Sequence, residues 1–117
     1  MSLRLQRVQE LLKRELGEII RREFPVEDGS LINVNEVKVS KDLQIATVYI
    51  GIIGKEEQKR RNLQLLLDNR KRIQGLLGKA VVLKYTPQLR FIMDESIERG
   101  NRVLEILDEL DNSSPST

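Results

Sequence analysis

Residues 31–52 read LINVNEVKVSKDLQIATVYIGI, and this stretch decides the fold. Two runs within it, 31–39 and 43–52, are rich in β-branched and aliphatic residues, which favour strands. A short polar connection, Ser40 to Asp42, separates them. This arrangement is typical of an antiparallel hairpin, so we expect two paired strands here.

The pattern within the hairpin predicts two further details. In the first run the apolar positions change parity between Val34 and Val37, which indicates a β-bulge near Asn35-Glu36. The second run has apolar residues at both odd and even positions, so we expect it to be the central strand of a sheet.

Helical periodicity flanks the hairpin on both sides. Residues 3–23 place apolar side chains three and four positions apart and stop before Pro25. Residues 55–80 show the same spacing in two parts, with an interruption that begins at Asn69. We therefore expect two helices joined by a kink. Three consecutive bases follow the interruption and are called the basic elbow below: Arg70, Lys71 and Arg72.

The rest of the chain predicts one more strand and one more helix. Residues 81–93 are expected to be a strand that begins at Pro87 or lies at a sheet edge, because proline cannot donate to a ladder. Asp94-Glu95-Ser96 opens an acidic helix over about 95–110, and its carboxylates suit the positive end of that helix. Residues 112–117 are a polar tail that we expect to be disordered.

The predicted order is α-β-β-α-α-β-α, an α+β fold with helices covering one face of a three-stranded sheet. The length of 117 residues favours one domain, which we place at residues 1–111 with the acidic helix included. The amino terminus contains no uninterrupted apolar stretch, and no segment reaches the roughly 20 apolar residues of a membrane span. We expect a soluble cytoplasmic protein.

The composition argues against an enzyme. The chain contains neither Cys nor His, so it lacks thiolate nucleophiles, imidazole bases and the commonest zinc ligands. No phosphate-binding loop and no cluster of metal ligands stands out. We therefore expect no catalytic residue, no metal and no cofactor, and an RNA hydrolase has little support.

The charge is unevenly distributed along the chain. Residues 94–111 hold seven acids and two bases, whereas residues 55–90 hold ten bases and three acids. A basic body with an acidic end is typical of a protein that binds a polyanion, and a solvated, salt-bridged helix surface is the alternative explanation.

Eight bases are candidates for RNA contact. The elbow combines positive side chains with the amino terminus of a helix, which can bind phosphate. Bases on other elements could extend that surface, although those of the first helix could instead pair with Glu10, Glu15 or Glu18. Only four aromatic residues exist and most are expected to be packed, so backbone contacts should outweigh base stacking. The candidates are Arg70, Lys71, Arg72, Lys79, Lys84, Arg90, Arg7 and Arg14.

Gly75-Leu76-Leu77-Gly78 has the spacing of the G-x-x-G loop with which KH domains hold RNA. Its two central residues are leucines that suit burial, whereas such a loop calls for exposed polar or basic residues. We interpret the glycines as helix-packing and helix-ending positions.

Several motifs together resemble the bacterial ribosome-binding factor A family over about residues 4–107. The hairpin is similar to a V-x-V-S-x-D-L-x-x-A-x-V-Y pattern that begins at Val37. Leu76-Leu77-Gly78-Lys79 and Pro87-x-Leu89-x-Phe91 match as well, and Asp94-x-Ser96 and Gly100 follow.

The resemblance implies a KH-like domain of the second type. It implies binding to the small (30S-type) ribosomal subunit and its rRNA during late maturation, including processing of the 5′ end of the rRNA precursor. Adaptation to cold is implied too. The family replaces the G-x-x-G loop with a helix-kink-helix that carries Ala-x-Gly, and this chain has Asn69-Arg70-Lys71 there.

A protein–protein adaptor that uses its amphipathic terminal helices is the alternative function. The two functions are compatible, since the acidic helix could contact a ribosomal protein or another assembly factor. We expect no membrane partner, and nothing in the sequence demands more than a monomer.

Overall fold

The computed structural model describes residues 3–94, which form a three-stranded sheet with helices packed on one of its faces. The predicted order α-β-β-α-α-β is confirmed over this range. The predicted acidic helix at 95–110 and the tail at 112–117 lie outside the described residues. In chain order the elements are α1 (Leu3–Glu23), β1 (Leu31–Val39), β2 (Ile45–Ile53), α2 (Glu56–Asp68), α3 (Arg70–Ala80) and β3 (Gln88–Met93).

The sheet has the order β1-β2-β3, so the hairpin's second strand is central as predicted. β1 pairs antiparallel with β2, and its register shifts between Val34 and Glu36, which confirms the predicted bulge. β3 pairs parallel with β2, from Ile45 opposite Gln88 to Ile50 opposite Met93. A parallel neighbour requires a crossover, and α2 and α3 provide it.

The predicted strand at 43–52 begins two residues late, because the hairpin turn extends to Gln44. Leu43 adopts a left-handed backbone with a φ of 61°. Its N–H donates to the Ser40 carbonyl at 2.8 Å, and the Ser40 N–H donates to the carbonyl of Ile45 at 2.9 Å. The Ser40 hydroxyl also accepts a hydrogen bond from the Ile45 N–H at 3.0 Å, so hydrogen bonds in both directions join the two ends of the turn.

The strand predicted at 81–93 begins only at Gln88, and residues 81–87 form a loop, called the α3–β3 loop below. β2 explains the difference. Its first residue, Ile45, pairs with Gln88, so residues before Gln88 would face the hairpin turn and have no strand to pair with. Pro87 is fully buried at the start of the strand, and β3 is an edge strand, as proline at this position requires.

An aliphatic core lies between α1, α3 and one face of the sheet. Most of the apolar stripe of α1 is buried, with Leu12, Leu16 and Ile19 among its members. Alternate residues of β2, among them Ala46 and Val48, are completely buried against the helices. The opposite sheet face carries the exposed residues of each strand, and is called the open face below. None of the described helices is both long and apolar enough to cross a membrane.

Candidate nucleic-acid interface

The kink between α2 and α3 consists of one residue, Asn69. Its φ of −105° and ψ of 16° fall outside the helical region, and it both ends α2 and precedes α3. The Asn69 side chain donates to the Leu65 carbonyl at 2.8 Å and caps α2, while its own carbonyl accepts the Ile73 N–H at 2.9 Å. The predicted kink is confirmed. It needs no glycine, because Asn69 keeps a negative φ and Lys71 is already helical.

The three elbow bases occupy the first turn of α3. Arg70 is half-buried, and Lys71 and Arg72 are exposed. The first turn of a helix presents N–H groups that lack partners within the helix, and these favour anions. Among the described residues, neither Arg70 nor Lys71 forms an ion pair. This end of α3 therefore combines a positive helix terminus with two cations that no acid within residues 3–94 pairs with.

Arg72 differs from its two neighbours, because it contacts α1. Its guanidinium donates to the Glu23 carboxylate at 2.9 Å and lies 5.2 Å from the centroid of the Phe24 ring. Those contacts join the first turn of α3 to the end of α1. Arg72 therefore contributes to helix packing, and Glu23 compensates part of its charge.

Three further candidate bases follow the elbow along the chain. Lys79 is exposed in the last turn of α3, eight residues after Lys71, or about 12 Å along the axis. Lys84 is exposed in the α3–β3 loop, and its ammonium lies 5.5 Å from the centroid of the Tyr85 ring. Arg90 alternates with buried residues on β3, so it projects from the open face, away from the helices.

The structure does not bring the two candidates of α1 to the elbow. Arg7 lies 16 residues before Glu23, about 24 Å along the helix axis, near the end that packs against the hairpin turn. Arg14 is 3.7 Å from the carboxylate of Glu15. Pairing along the helix, one of the two alternatives, is thus observed for Arg14. Arg7 is exposed and stays a prediction as an RNA contact.

One continuous segment of the chain holds the other six candidates. Residues 69–93 contain six bases and no acid, and they span α3, the α3–β3 loop and β3. This stretch is called the basic segment below. On α1, by contrast, acids are interspersed with the bases, and Arg21 pairs with Glu18.

Sequence reasoning missed one exposed aromatic residue in the basic segment. Most aromatic side chains were expected to be packed, and Phe24 and Phe91 are indeed buried. Tyr85, however, is 65% exposed. Tyr85 lies in a loop because the pairing of β3 with β2 starts only at Gln88, and no local pattern in the sequence signals where that pairing starts.

The G-x-x-G spacing at Gly75 and Gly78 does not form a loop. Both glycines lie within α3, in agreement with the helical interpretation. Gly78 has a packing role, since a Cβ there would lie 2.8 Å from the hydroxyl oxygen of Thr86 in the α3–β3 loop. Nothing lies within 4 Å of a Cβ at Gly75.

Comparison with known proteins identifies the family. A family model described as ribosome-binding factor A matches residues 4–107. The chain is also 36% identical over 115 residues to ribosome-binding factor A of Opitutus terrae, an alignment that covers 98% of this chain and 93% of that protein. The chain belongs to the ribosome-binding factor A family. Its fold is accordingly KH-like.

Solved structures of ribosome-binding factor A agree with this assignment. The crystal structure of the Thermus thermophilus factor matches with a TM-score of 0.65 and 29% identity, over 76% of this chain and 94% of that one. A Thermus thermophilus homology model, fitted into a cryo-electron microscopy map of a 30S complex of that factor, matches with a TM-score of 0.60 and 28% identity, over 74% and 91%. A Thermotoga maritima solution structure, 22% identical with a TM-score of 0.69 over 84% and 93%, supports the fold alone.

Proposed function

We propose that this chain binds the small (30S-type) ribosomal subunit through its rRNA and assists late maturation of that subunit, including processing of the 5′ end of the rRNA precursor. The observation that carries this proposal is the basic segment, which has six bases and no acid. A family relative has been fitted into the map of a 30S complex, which supports the same partner for this chain.

The proposed contact is with backbone phosphates. Arg70 and Lys71 offer two cations in the first turn of α3 that form no ion pair within residues 3–94, and the N–H groups of that turn add a further attraction for a phosphate. Lys79 and Lys84 would continue this contact beyond the far end of the helix. Phosphate contacts fix position and orientation without reading sequence, which suits a factor that recognises the shape of a folded rRNA.

The remaining candidates have different proposed roles. Arg72 would contribute through helix packing, because Glu23 already holds its guanidinium. Arg90 lies on the open face, so it could contact only an RNA strand that passes around the sheet edge. Arg7 and Arg14 lie on α1, and we assign them to weaker, longer-range attraction.

We propose binding rather than catalysis. The chain contains no His and no Cys, so a general acid–base or nucleophilic mechanism would need carboxylates, Lys, Ser, Thr or Tyr. No group of three or more carboxylates within residues 3–94 could hold a metal ion. A purified preparation that cleaves RNA in a metal-dependent manner would overturn this part of the proposal.

The structure bears on one of the two helices of the adaptor alternative. Leu12, Leu16, Ile19 and Ile20 of α1 are buried in the core of this chain, so only the first turns of α1, where Val8 and Leu11 are half-buried, are open to a partner helix. The other helix of that hypothesis, the acidic one, lies outside the described residues.

Co-sedimentation of the purified protein with isolated small and large ribosomal subunits, over a series of salt concentrations, tests the proposal. We expect selective binding to small subunits that weakens steeply with salt, because phosphate contacts release counterions. Equal binding to both subunits would reduce the protein to a general RNA binder. Absence of binding at low salt would overturn the proposal and favour a protein partner.

The maturation role needs a separate measurement in cells. Loss of the protein should cause small-subunit rRNA with an unprocessed 5′ end to accumulate, most strongly at low growth temperature. Re-expression of the native chain should remove that precursor. Unchanged rRNA ends in cells that lack the protein would contradict the processing role and leave the binding role standing.

A further inference from the structure

The α3–β3 loop is anchored at both ends and exposed in its middle. At its start Val81 is buried and donates its N–H to the Leu77 carbonyl at 3.0 Å. At its end Pro87 is fully buried, and Thr86 packs closely over Gly78. Between these anchors Val82 is fully exposed and Tyr85 is 65% exposed. The loop therefore exposes the Val82 side chain and the Tyr85 ring, while its two buried ends hold it in place.

The exposure of Tyr85 stands out in a chain with so few aromatic residues. The two phenylalanines are buried in the core, and Tyr49 is half-buried on the open face. Tyr85 leaves most of its ring accessible, although burial of an aromatic ring is among the larger stabilising contributions open to a small domain. A ring held outside the core at a fixed position is available for a partner.

The surroundings of Tyr85 favour RNA as that partner. Lys84 places its ammonium 5.5 Å from the ring centroid, and Lys79 is exposed at the end of α3 that leads into the loop. No acid occurs anywhere in residues 69–93. Unpaired bases of folded RNA stack on exposed aromatic rings, and neighbouring cations bind their phosphates.

We propose that the Tyr85 ring stacks on one unpaired base of the RNA, with Lys84 and Lys79 at the adjacent phosphates. This inference rests on the proposed function and extends it, since the protein would hold a single-stranded nucleotide in addition to backbone phosphates. It also replaces the sequence-based expectation that stacking plays little part.

A single fluorophore can report the stacking directly. The chain contains no tryptophan, so Tyr85→Trp introduces one indole at the site. Its fluorescence should be quenched by small subunits and by a single-stranded oligoadenylate of about 12 nucleotides, because a base that stacks on an excited indole quenches it by direct contact. The matched control is Leu31→Trp, at an exposed position at the start of β1, whose fluorescence should not change.

The affinities of three variants distinguish the contribution of the Tyr85 ring from that of the neighbouring lysine charge. Tyr85→Ala should bind small subunits about 5-fold to 150-fold more weakly, the range for loss of one base–aromatic stack. The dependence of its affinity on salt should keep the native slope, because no charge is lost. Tyr85→Phe should bind like the native protein, whereas Lys84→Ala should lower both the affinity and the slope.

The outcomes distinguish the stacking proposal from the proposed function. Native affinity for Tyr85→Ala would overturn stacking while the function stands. Weakened subunit binding with no quenching by either probe would assign Tyr85 to a ribosomal protein and would also overturn it. Failure of the native chain to bind small subunits would overturn the proposed function, and the oligoadenylate would still report on stacking. Because Leu31, Lys84 and Tyr85 are all exposed, we expect each of these variants to have the same unfolding temperature as the native protein.

Discussion

The guanidinium of Arg72, in the first turn of α3, donates a 2.9 Å hydrogen bond to the carboxylate of Glu23, in the last turn of α1. The same guanidinium lies over the Phe24 ring. An elbow base that looked like an RNA contact in the sequence therefore also holds two helices together. Reversing all three elbow bases at once would mix loss of RNA contacts with loss of helix packing.

Arg72→Glu should destabilise the fold by about 1 kcal/mol, because it places a carboxylate beside Glu23 and removes the cation over Phe24. Urea denaturation measures the effect. Adding Glu23→Arg to that variant restores an opposite-charge pair and should recover most of the stability. Equal stability of Arg72→Glu and the native protein would show that the pair contributes nothing to the packing.

Lys71→Ala should weaken binding to small subunits without weakening the fold. Lys71 is exposed and has no ion-pair partner among residues 3–94, so its loss should change stability by less than about 0.5 kcal/mol. If it contacts one phosphate, the slope of log affinity against log salt concentration should fall by about one. Lys41→Ala, in the hairpin turn, is the matched control and should keep the native slope. An unchanged slope for Lys71→Ala would remove this residue from the interface.

The elements that could be predicted from sequence are those whose signal is local. The hairpin, its bulge at Asn35-Glu36 and the kink at Asn69 each follow from a periodicity that changes within a few residues. The α3–β3 loop could not be predicted in this way. Its β-branched residues favour a strand, but a strand also needs a neighbour, and the start of β2 at Ile45 provides none before Gln88.

The site was predicted less completely than the fold, for a similar reason. The charge of the basic segment is visible in the sequence, but ion pairing depends on which elements meet. Arg72 is 49 residues from Glu23, so no local pattern could show their contact. Arg90 was grouped with the elbow, yet strand alternation places it on the open face. The exposure of Tyr85 likewise depends on where β3 begins.

Ser30→Ala should cost about 1–3 kcal/mol, because it leaves a buried amide without a partner. Asn62 is only 6% exposed, and its side-chain N–H donates to the Ser30 hydroxyl oxygen at 2.8 Å. The Ser30 hydroxyl in turn donates to Asp28. Urea denaturation of both single variants and of the double variant with Asn62→Ala provides the measurement. The two costs should be strongly non-additive, and simple additivity would contradict the network.

The carboxyl group of Asp42, in the hairpin turn, should titrate with a pKa below the ordinary value for aspartate. A hydrogen bond from the Ser40 side chain, and a second from the Gln44 N–H, lower the pKa of Asp42 from 3.8. These hydrogen bonds to the charged carboxylate stabilise the folded state. Their contribution is fully present above about pH 3.8 and is lost as the pH falls through the lowered pKa of Asp42. Ser40→Ala should return the pKa of Asp42 towards 3.8, as followed by NMR titration of the carboxyl carbon. The pKa of Asp28, which Ser30 lowers in a separate turn, should not move.

The bulge in β1 directs the Asn35 side chain across the central strand. Its amide N–H donates to Asp94 at 3.2 Å, just beyond the end of β3, so Asn35 links the two outer strands. It passes directly over Gly51 of β2. A Cβ at Gly51 would lie 2.6 Å from the amide nitrogen and 2.9 Å from the amide oxygen of Asn35, too close for either atom to stay in place.

Gly51→Ala should therefore destabilise the fold by about 0.5–1.5 kcal/mol, because the Asn35 amide must move aside and give up its hydrogen bond to Asp94. In an Asn35→Ala background the obstructing amide is gone, so the same substitution should cost much less. Gly75→Ala is the matched control. Nothing lies near a Cβ there, and alanine within a helix should stabilise by about 0.5–1 kcal/mol. If Gly51→Ala costs the same with and without the Asn35 amide, the close approach is not what requires glycine at this position.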